Sequence, residues 1–433
     1  MSYDDESKVA KAARLCYFPS SISDLEEEMT EERCATLIKK LKQMKHGSPF
    51  EHVYYTFGIE GISRACLAQI TRHRIASFNV QSQRYVGLFK LNKKEFDQHF
   101  FDEINTKEKA YFLGWLVSDG NIYIKEDSGH YICSIKLKKE DEYILYRFKD
   151  LLGIKNKIYS YERDGKSKLQ FGNKHMINIL KNKYGIIPNK SLTISGKKLF
   201  ENIPEKYYKW FILGLFEGDG TVFKSKRSDS DVGIGIYSFS EDLLNLLKEK
   251  IPIFSDRNIK NNRLIFQGKN QTYKFLKYLY KDLDIKNDIF LLRKYTKALA
   301  ISEDFKNEEL DKLLSDKFIF PPKILKDKEL ISEYYFTCKK AEETYFKLIM
   351  EGILKEDARM VLPNAMKTNL IVTINARSLE NFFNIRMKPD AQWEIRELAT
   401  KMYELVKEVH PNIWSEEIES TDRGDSGFGS SGK

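Results

Sequence analysis

The sequence predicts an α+β fold in which a host of mixed helix and strand is split by an inserted domain of two similar α/β halves. Three observations predict it. Apolar residues recur at helical spacing in both flanks, a nine-residue string in the middle returns about one hundred positions later, and the sign of the charge differs between middle and flanks. A chain of 433 residues, 42% of them hydrophobic, is long enough for more than one core.

Charge locates the insertion. Residues 88–298 hold 40 Lys and Arg against 27 Asp and Glu, a balance of +13, whereas the whole chain carries +9 and the flanks therefore −4. A basic segment within an acidic host implies that the middle meets a polyanion and the flanks do not. No apolar run reaches the roughly 18 residues of a membrane helix. The start, Met1-Ser2-Tyr3-Asp4-Asp5-Glu6, is acidic where a signal peptide is basic, so a cytoplasmic location with no membrane contact is expected. Cys16, Cys34, Cys66, Cys133 and Cys338 are odd in number and form no CxxC pair, against both a disulfide framework and a zinc ribbon.

In the first flank, Thr30 caps a helix whose apolar positions are Leu37, Ile38, Leu41 and Met44, and Val53 to Phe57 reads as a strand. In the middle, Phe112-Leu113-Gly114-Trp115-Leu116-Val117-Ser118-Asp119-Gly120 matches Ile212-Leu213-Gly214-Leu215-Phe216-Glu217-Gly218-Asp219-Gly220. Each copy reads as a helix end. Asn105 with Glu108 forms a capping box for the first, and Pro204 suits the first turn of the second. Gly114 and Gly214 each cost a helix about 1 kcal/mol against Ala, which implies that the two backbones approach closely. Further on, Leu169 to Lys174 answers Leu264 to Lys269, each leading into a helix. In the last flank, Ile331, Tyr334, Cys338, Ala341, Tyr345 and Leu348 form one apolar stripe, and Ile395, Leu398, Ala399, Met402, Leu405, Val406 and Val409 form another; both are core positions. The tail from Ser415 is Ser/Gly/Glu-rich and is expected to be disordered.

Two sets of residues carry chemistry. Asp119 and Asp219 stand at helix C-termini, where the macrodipole disfavours a negative charge by about 0.3–1 kcal/mol, so a shared divalent cation such as Mg²⁺ would compensate both. A helix stop explains one Asp-Gly; two copies with matched flanks in a basic segment ask for more. The other set is Arg72-His73-Arg74 with Ser77, Asn79, Ser82 and Arg84-Tyr85, complemented far downstream by Arg359, Asn375, Arg377, Asn381 and Arg386. Guanidinium forks bind phosphate bidentately, and Ser and Asn suit a ribose or base edge, so a phosphate-bearing ligand is expected; a structural salt-bridge network is the alternative.

The middle segment resembles a monomeric LAGLIDADG homing endonuclease, of the αββαββα type repeated within one chain. By that resemblance Asp119 and Asp219 are metal ligands for Mg²⁺ and catalytic in cutting double-stranded DNA. Lys190 and Lys286 are then the basic residues near the scissile phosphate. The match is partial: Val117 stands where the motif has its first acid, and Ser118 and Gly218 where it has alanine.

The string RHRxxSxNxxSxR from Arg72 to Arg84 resembles the signature of flavin-dependent thymidylate synthases, and His46 to His52, Asp357 to Pro363, Thr373 to Leu379 and Ala391 to Ile395 agree in order. This resemblance implies conversion of dUMP to dTMP with methylenetetrahydrofolate as carbon donor and NADPH reducing a bound FAD, in a homotetramer with shared sites. It assigns Ser48, Arg72, His73, Arg74, Asn375, Arg377 and Asn381 to FAD, and Gln69, Arg72, Ser82, Gln83, Arg84 and Arg359 to dUMP. Arg386 is placed against the uracil ring as the catalytic residue. Val80 and Asp390 depart from the pattern, standing where members carry Glu and His. The expected domains are 1–87 and 299–414 for the synthase, 88–298 for the endonuclease-like insert, and 415–433 for the tail. Neither junction has the residues that protein splicing needs, so the insert is expected to stay in the mature chain. An alternative is a homing endonuclease whose flanks are an inactive synthase remnant; another is a synthase whose insert has lost cutting activity.

Overall fold

A computed structural model describes residues 1–86, 88–89, 95–188, 194–224 and 232–414. The chain forms two compact units, Met1–Val86 with Pro363–Lys433, and Gly87–Leu362. Lys190 and the tail from 415 lie outside the described residues.

The first unit is built on a four-stranded antiparallel sheet in the order Ser2–Tyr3, Tyr54–Ser63, Lys367–Asn375, Ala76–Val80. The strand expected over Val53 to Phe57 runs on to Ser63, with Tyr55, Phe57 and Ile59 buried and alternating with more exposed neighbours, the period of two that a half-buried strand requires. Its central partner comes from the far end of the chain: Thr56 lies opposite Thr373 and their hydroxyls are 2.9 Å apart. Helices Glu31–Gln43, Arg64–Ile70, Ala376–Arg386 and Trp393–Val409 contribute Ile38, Cys66, Phe382, Phe383, Ile395 and Met402 to one core with Phe57, Val372 and Ile374. Thr30 caps Glu31–Gln43 as expected, its hydroxyl accepting from Arg33 N. Met44 does not join the apolar stripe; the helix stops at Gln43 and leaves it exposed. On either side of the break in this unit the chain runs close together, with Gln81 N donating to Asn369 O at 2.9 Å and Gln83 Nε2 lying 3.7 Å from Met366 Sδ.

In the second unit the two motif strings are helices, Lys107–Ser118 and Tyr208–Asp219, packed against each other. A methyl group added at Gly114 would lie 2.2 Å from Phe211 O, and one at Gly214 would lie 2.0 Å from Tyr111 O. The backbones touch, so no other residue fits either position without moving a helix. Residues Tyr111 to Val117 are buried on every side, as befits the centre of a core. Thr106, in extended conformation, caps the first helix by accepting from Lys109 N; Asn105, the expected cap, instead offers its carbonyl to the Tyr207 hydroxyl. Pro204 precedes a single 3₁₀ turn, Glu205–Tyr207, so the second helix starts later than its proline suggested.

Each motif helix leads into a four-stranded antiparallel sheet. The first is ordered Gly120–Lys125, His130–Lys138, Lys166–Phe171, Tyr159–Tyr161. The second is ordered Ile259–Lys260, Arg263–Gln267, Val232–Tyr237, Gly220–Lys224. Helices Lys174–Asn182 and Lys269–Tyr280 follow the matched strands in the two halves. Leu292–Ile301, Glu303–Ser315 and Lys328–Met350 belong to the same unit. Of the stripe expected on Lys328–Met350, Ile331, Cys338 and Tyr345 are buried, whereas Tyr334, Ala341 and Leu348 are only partly so and Tyr335 takes the core place. Glu343 on this helix accepts two hydrogen bonds from Arg147, at 2.7 and 3.1 Å.

Candidate functional site

A cleft of about 610 Å³ in the first unit gathers residues about three hundred positions apart in the chain. Arg72, His73 and Arg74 arrive on the turn between helix Arg64–Ile70 and strand Ala76–Val80, where Ile75 adopts a left-handed φ of 59°. Arg377, Asn381 and Arg386 come from helix Ala376–Arg386, and Glu51 from the 3₁₀ turn Ser48–His52. Four guanidinium groups face one carboxylate, that of Glu51, which pairs with Arg377. Such an excess of fixed positive charge suits an anionic ligand bearing more than one phosphate.

His73 and Arg386 are the best-fixed pair. Arg386 Nε donates to His73 Nε2 at 3.0 Å, and its two other nitrogens reach Gln69 Oε1 at 3.4 Å and Gln69 O at 3.3 Å. His73 stacks edge-on against Phe382, with ring centroids 4.8 Å apart. Burial and the adjacent guanidinium lower its pKa to about 4, so it is a neutral acceptor at physiological pH. Arg386 is itself pushed down from the usual guanidinium value by burial and by Arg72. Gly47 backs Arg377: a methyl there would lie 3.2 Å from its Nε.

Other residues expected at the nucleotides stand elsewhere. The Asn375 side chain is buried and caps helix Ala376–Arg386 by accepting from Ser378 N at 2.8 Å, which holds Arg377 and Asn381 in place from behind. Ser48 is exposed at the start of its 3₁₀ turn and does not line the cleft. Ser82, Gln83 and Arg84 follow strand Ala76–Val80; Ser82 Oγ accepts from Arg84 N at 3.2 Å, and the Arg84 guanidinium lies over the Tyr85 ring. Arg359 belongs to the second unit, where its Nε donates to Glu356 O at 3.2 Å. Val80 packs against the core of the first unit, and Asp390 is exposed. Sequence reasoning missed Glu51 as the counter-charge, although it lay within a noted motif. Cys66, the cysteine nearest to Gln69 in sequence, is buried and its thiol is pushed up to about 12, so it is no ready nucleophile.

In the second unit the two acids expected to share a metal end adjoining helices. A methyl added at Gly218 would lie 2.8 Å from Asp119 Oδ2, so the first carboxylate sits against the backbone next to Asp219. The positive charge expected there includes a residue that the sequence had hidden among many lysines. Buried Lys294 donates to the carbonyls of Phe216, Gly218 and Gly220 at 2.7, 3.0 and 2.7 Å, closing the C-terminus of the second motif helix. Burial lowers its pKa to about 8 while Glu217, Asp119 and Asp219 pull the other way. Glu217, the acid present in this copy alone, is also buried; it accepts from the Tyr111 hydroxyl at 2.5 Å and from Leu291 N at 2.8 Å. Lys286 lies in the turn after Asp284, whose carboxylate accepts from Lys286 N at 3.0 Å.

The first sheet of this unit presents one basic and aromatic face. Lys136 stands opposite Lys168, Lys138 opposite Lys166, and Tyr159 and Tyr161 flank the two pairs. Like charges directly opposite destabilise a sheet, by some tenths of a kcal/mol each, unless an anion lies across them. Carboxylates offset part of this charge, Asp164 lying 2.6 Å from Lys136 and Glu140 3.8 Å from Lys138, both at the exposed surface.

Comparison with known proteins finds two families in the chain, with the synthase-family match extending into the second unit and the LAGLIDADG-like match covering the second motif helix. The family model described as thymidylate synthase complementing protein matches residues 1–149 and 280–412, and a LAGLIDADG-like domain model matches residues 206–277 in the gap. Among curated relatives, the flavin-dependent thymidylate synthase of Sulfurisphaera tokodaii is 52% identical over 99 residues, covering 23% of this chain and 37% of that one. That of Clostridium tetani is 38% identical over 115 residues, covering 24% and 46%. In these matches the chain spans less than half of each relative's length. Among solved structures, the Helicobacter pylori flavin-dependent thymidylate synthase complexed with FAD and dUMP has 14% identity and a TM-score of 0.36, covering 95% of both chains. A UMP/dUMP methylase of Streptomyces cacaoi has 15% identity and a TM-score of 0.37, covering 96% of this chain and 91% of the other. No described helix is long and apolar enough to cross a membrane. With its model matched over about two thirds of the length, on both sides of a LAGLIDADG-like domain, the chain belongs to the thymidylate synthase complementing protein family.

Proposed function

We propose that the chain is a flavin-dependent thymidylate synthase that methylates dUMP to dTMP, carrying a LAGLIDADG-type insert that binds and cuts double-stranded DNA. The observation that carries the synthase reading is the convergence of Arg72, His73, Arg74, Arg377, Asn381 and Arg386 on one cleft from opposite ends of the chain. FAD, when bound and reduced by NADPH, would supply the hydride that reduces to a methyl group the methylene carbon donated by methylenetetrahydrofolate. Arg72, Arg74 and Arg377 hold phosphate, and Asn381 offers an amide to the ligand. Arg386, held in place by neutral His73 and Gln69, faces the base and stabilises negative charge developing on it. Gln69, Ser82, Gln83 and Arg84 complete the nucleotide contacts, with a homotetramer supplying contacts that one chain does not. The synthase parts are 1–87 and 299–414, and the insert is 88–298.

In the insert, Asp119 and Asp219 would hold Mg²⁺, which when bound would polarise the scissile phosphate. Lys136, Lys138, Lys166 and Lys168 meet the DNA backbone, and the paired lysines of the first sheet support this role. The alternative of an endonuclease with a synthase remnant is disfavoured by the intact arginine cleft. Purified full-length protein should be yellow and should release the C5 hydrogen of dUMP when given NADPH and methylenetetrahydrofolate. Colourless protein that binds no added FAD would refute the synthase reading. Mg²⁺-dependent cleavage across a library of DNA targets, lost in Asp119→Asn, tests the insert separately.

A further inference from the structure

We propose that His99, Asp102 and His175 form a binding site for a late first-row divalent cation of the Zn²⁺ class, separate from the carboxylate pair. Asp102 Oδ2 lies 2.7 Å from His99 Nδ1, and Asp102 Oδ1 lies 2.7 Å from His175 Nε2. The imidazole centroids are 4.6 Å apart, and the ligand atoms all lie within 4.8 Å of one another. Among the described residues this is the one such grouping of three. Ligands on a tetrahedral zinc stand about 3.3 Å apart for bonds of ~2.0–2.1 Å, so exposed side chains need move only slightly to close on an ion.

The donor set names the cation. Two imidazoles and one carboxylate are borderline ligands that favour Zn²⁺, Co²⁺ or Ni²⁺, whereas Asp119 and Asp219 offer only the hard oxygens that suit Mg²⁺. Three protein ligands with solvent on the open side leave a fourth position for water. His175 can serve while neutral with its proton on Nδ1. His99 Nε2 accepts from Gln98 Nε2 at 3.2 Å, Gln98 Oε1 being taken by Asn173 Nδ2, so an ion on His99 Nδ1 requires that amide to turn as the proton moves to Nε2.

The backbone carrying these ligands is already fixed. Phe100 and Phe101 are buried, Asp97 N donates to Leu152 O at 2.9 Å, Lys183 Nζ donates to Asp102 O at 2.5 Å, and the Tyr184 hydroxyl donates to Phe101 O at 3.0 Å. His175 sits in the first turn of Lys174–Asn182, whose cap, Asn173, donates through Nδ2 to Gln98 Oε1 at 2.8 Å. An ion here would staple the segment leading into the first motif helix onto the helix that follows the first sheet. The second half has no counterpart, since no histidine lies between residues 176 and 409.

The test is titration of the full chain, in a Cys16→Ser background, with Zn²⁺ in the presence of excess Mg²⁺. One equivalent should bind, with affinity falling at least about tenfold in His175→Ala and in His99→Ala and unchanged in His130→Ala. Co²⁺ should give the intense visible bands of a tetrahedral site, and unfolding temperature should rise with Zn²⁺ in the parent and not in His175→Ala. Absence of saturable binding, or binding untouched by both histidine variants, would overturn the proposal. Circular dichroism of each variant separates loss of the ligand from loss of the fold.

Discussion

Arg386 Nε donates to His73 Nε2 at 3.0 Å, and this bond joins the two sequence segments of the cleft, 313 residues apart. It requires a neutral imidazole, because a protonated His73 has no acceptor to offer.

Acid should therefore loosen the first unit. His73 titrates normally near 6.5 and in the fold at about 4, so the unfolded chain binds the proton more readily. The stabilisation is complete above pH 6.5 and is lost as pH falls from there towards 4. His410, lowered by burial, acts in the same direction. Thermal unfolding followed over this window should show a shallower acid slope in His73→Asn than in the parent; an unchanged slope would contradict the burial of His73.

Arg386→Lys should keep a charge and lose the fork. A lysine cannot reach His73 and Gln69 together, so we expect dUMP turnover to fall by about 100-fold, near the loss of a single well-placed charge donor, with FAD absorbance retained. Steady-state kinetics alongside the flavin spectrum decide it, and loss of colour would mean that Arg386 serves the cofactor instead.

Gly114→Ala should destabilise, although alanine favours a helix by about 1 kcal/mol. The added methyl would meet Phe211 O at 2.2 Å, in backbone that cannot swing away. Denaturant unfolding should show a net loss of about 1–3 kcal/mol, and a gain in stability would show that the helices are less closely apposed.

Lys294→Met removes three charge-assisted hydrogen bonds and leaves the carbonyls of Phe216, Gly218 and Gly220 to find other partners. A loss of about 2–4 kcal/mol is expected, within the range for a buried cation bonded to several acceptors. If the variant unfolds at the same denaturant concentration as the parent, Lys294 is not the cap of this helix.

Lys136→Gln with Lys168→Gln should weaken binding and leave the fold nearly unchanged. Relief of one cross-strand pair of like charges is offset by loss of the Lys136–Asp164 ion pair, each worth some tenths of a kcal/mol. Affinity for any DNA should fall, and the slope of log affinity against log salt should shrink by about 2, one for each lysine that no longer neutralises a phosphate. An unaltered salt slope would place the DNA elsewhere.

Local signals determined much of this protein. Thr30 as a cap, the alternation through Tyr55, Phe57 and Ile59, the paired glycines and the two Asp-Gly helix ends all depend on neighbours a few residues away, which periodicity and residue type record. The cleft arginines were legible for the same reason, since clustered guanidinium groups are seldom core residues. Tertiary structure decided what depends on distant partners: Thr56 beside Thr373, Asn375 turned inward as a cap, and Glu51 as the counter-charge to Arg377. It also set one lysine among many, Lys294, at the end of the second motif helix, and brought His99 and His175 to one carboxylate. A side chain's environment is the sum of contacts across the fold. Residue type limits which contacts are possible, and only the folded chain selects among them.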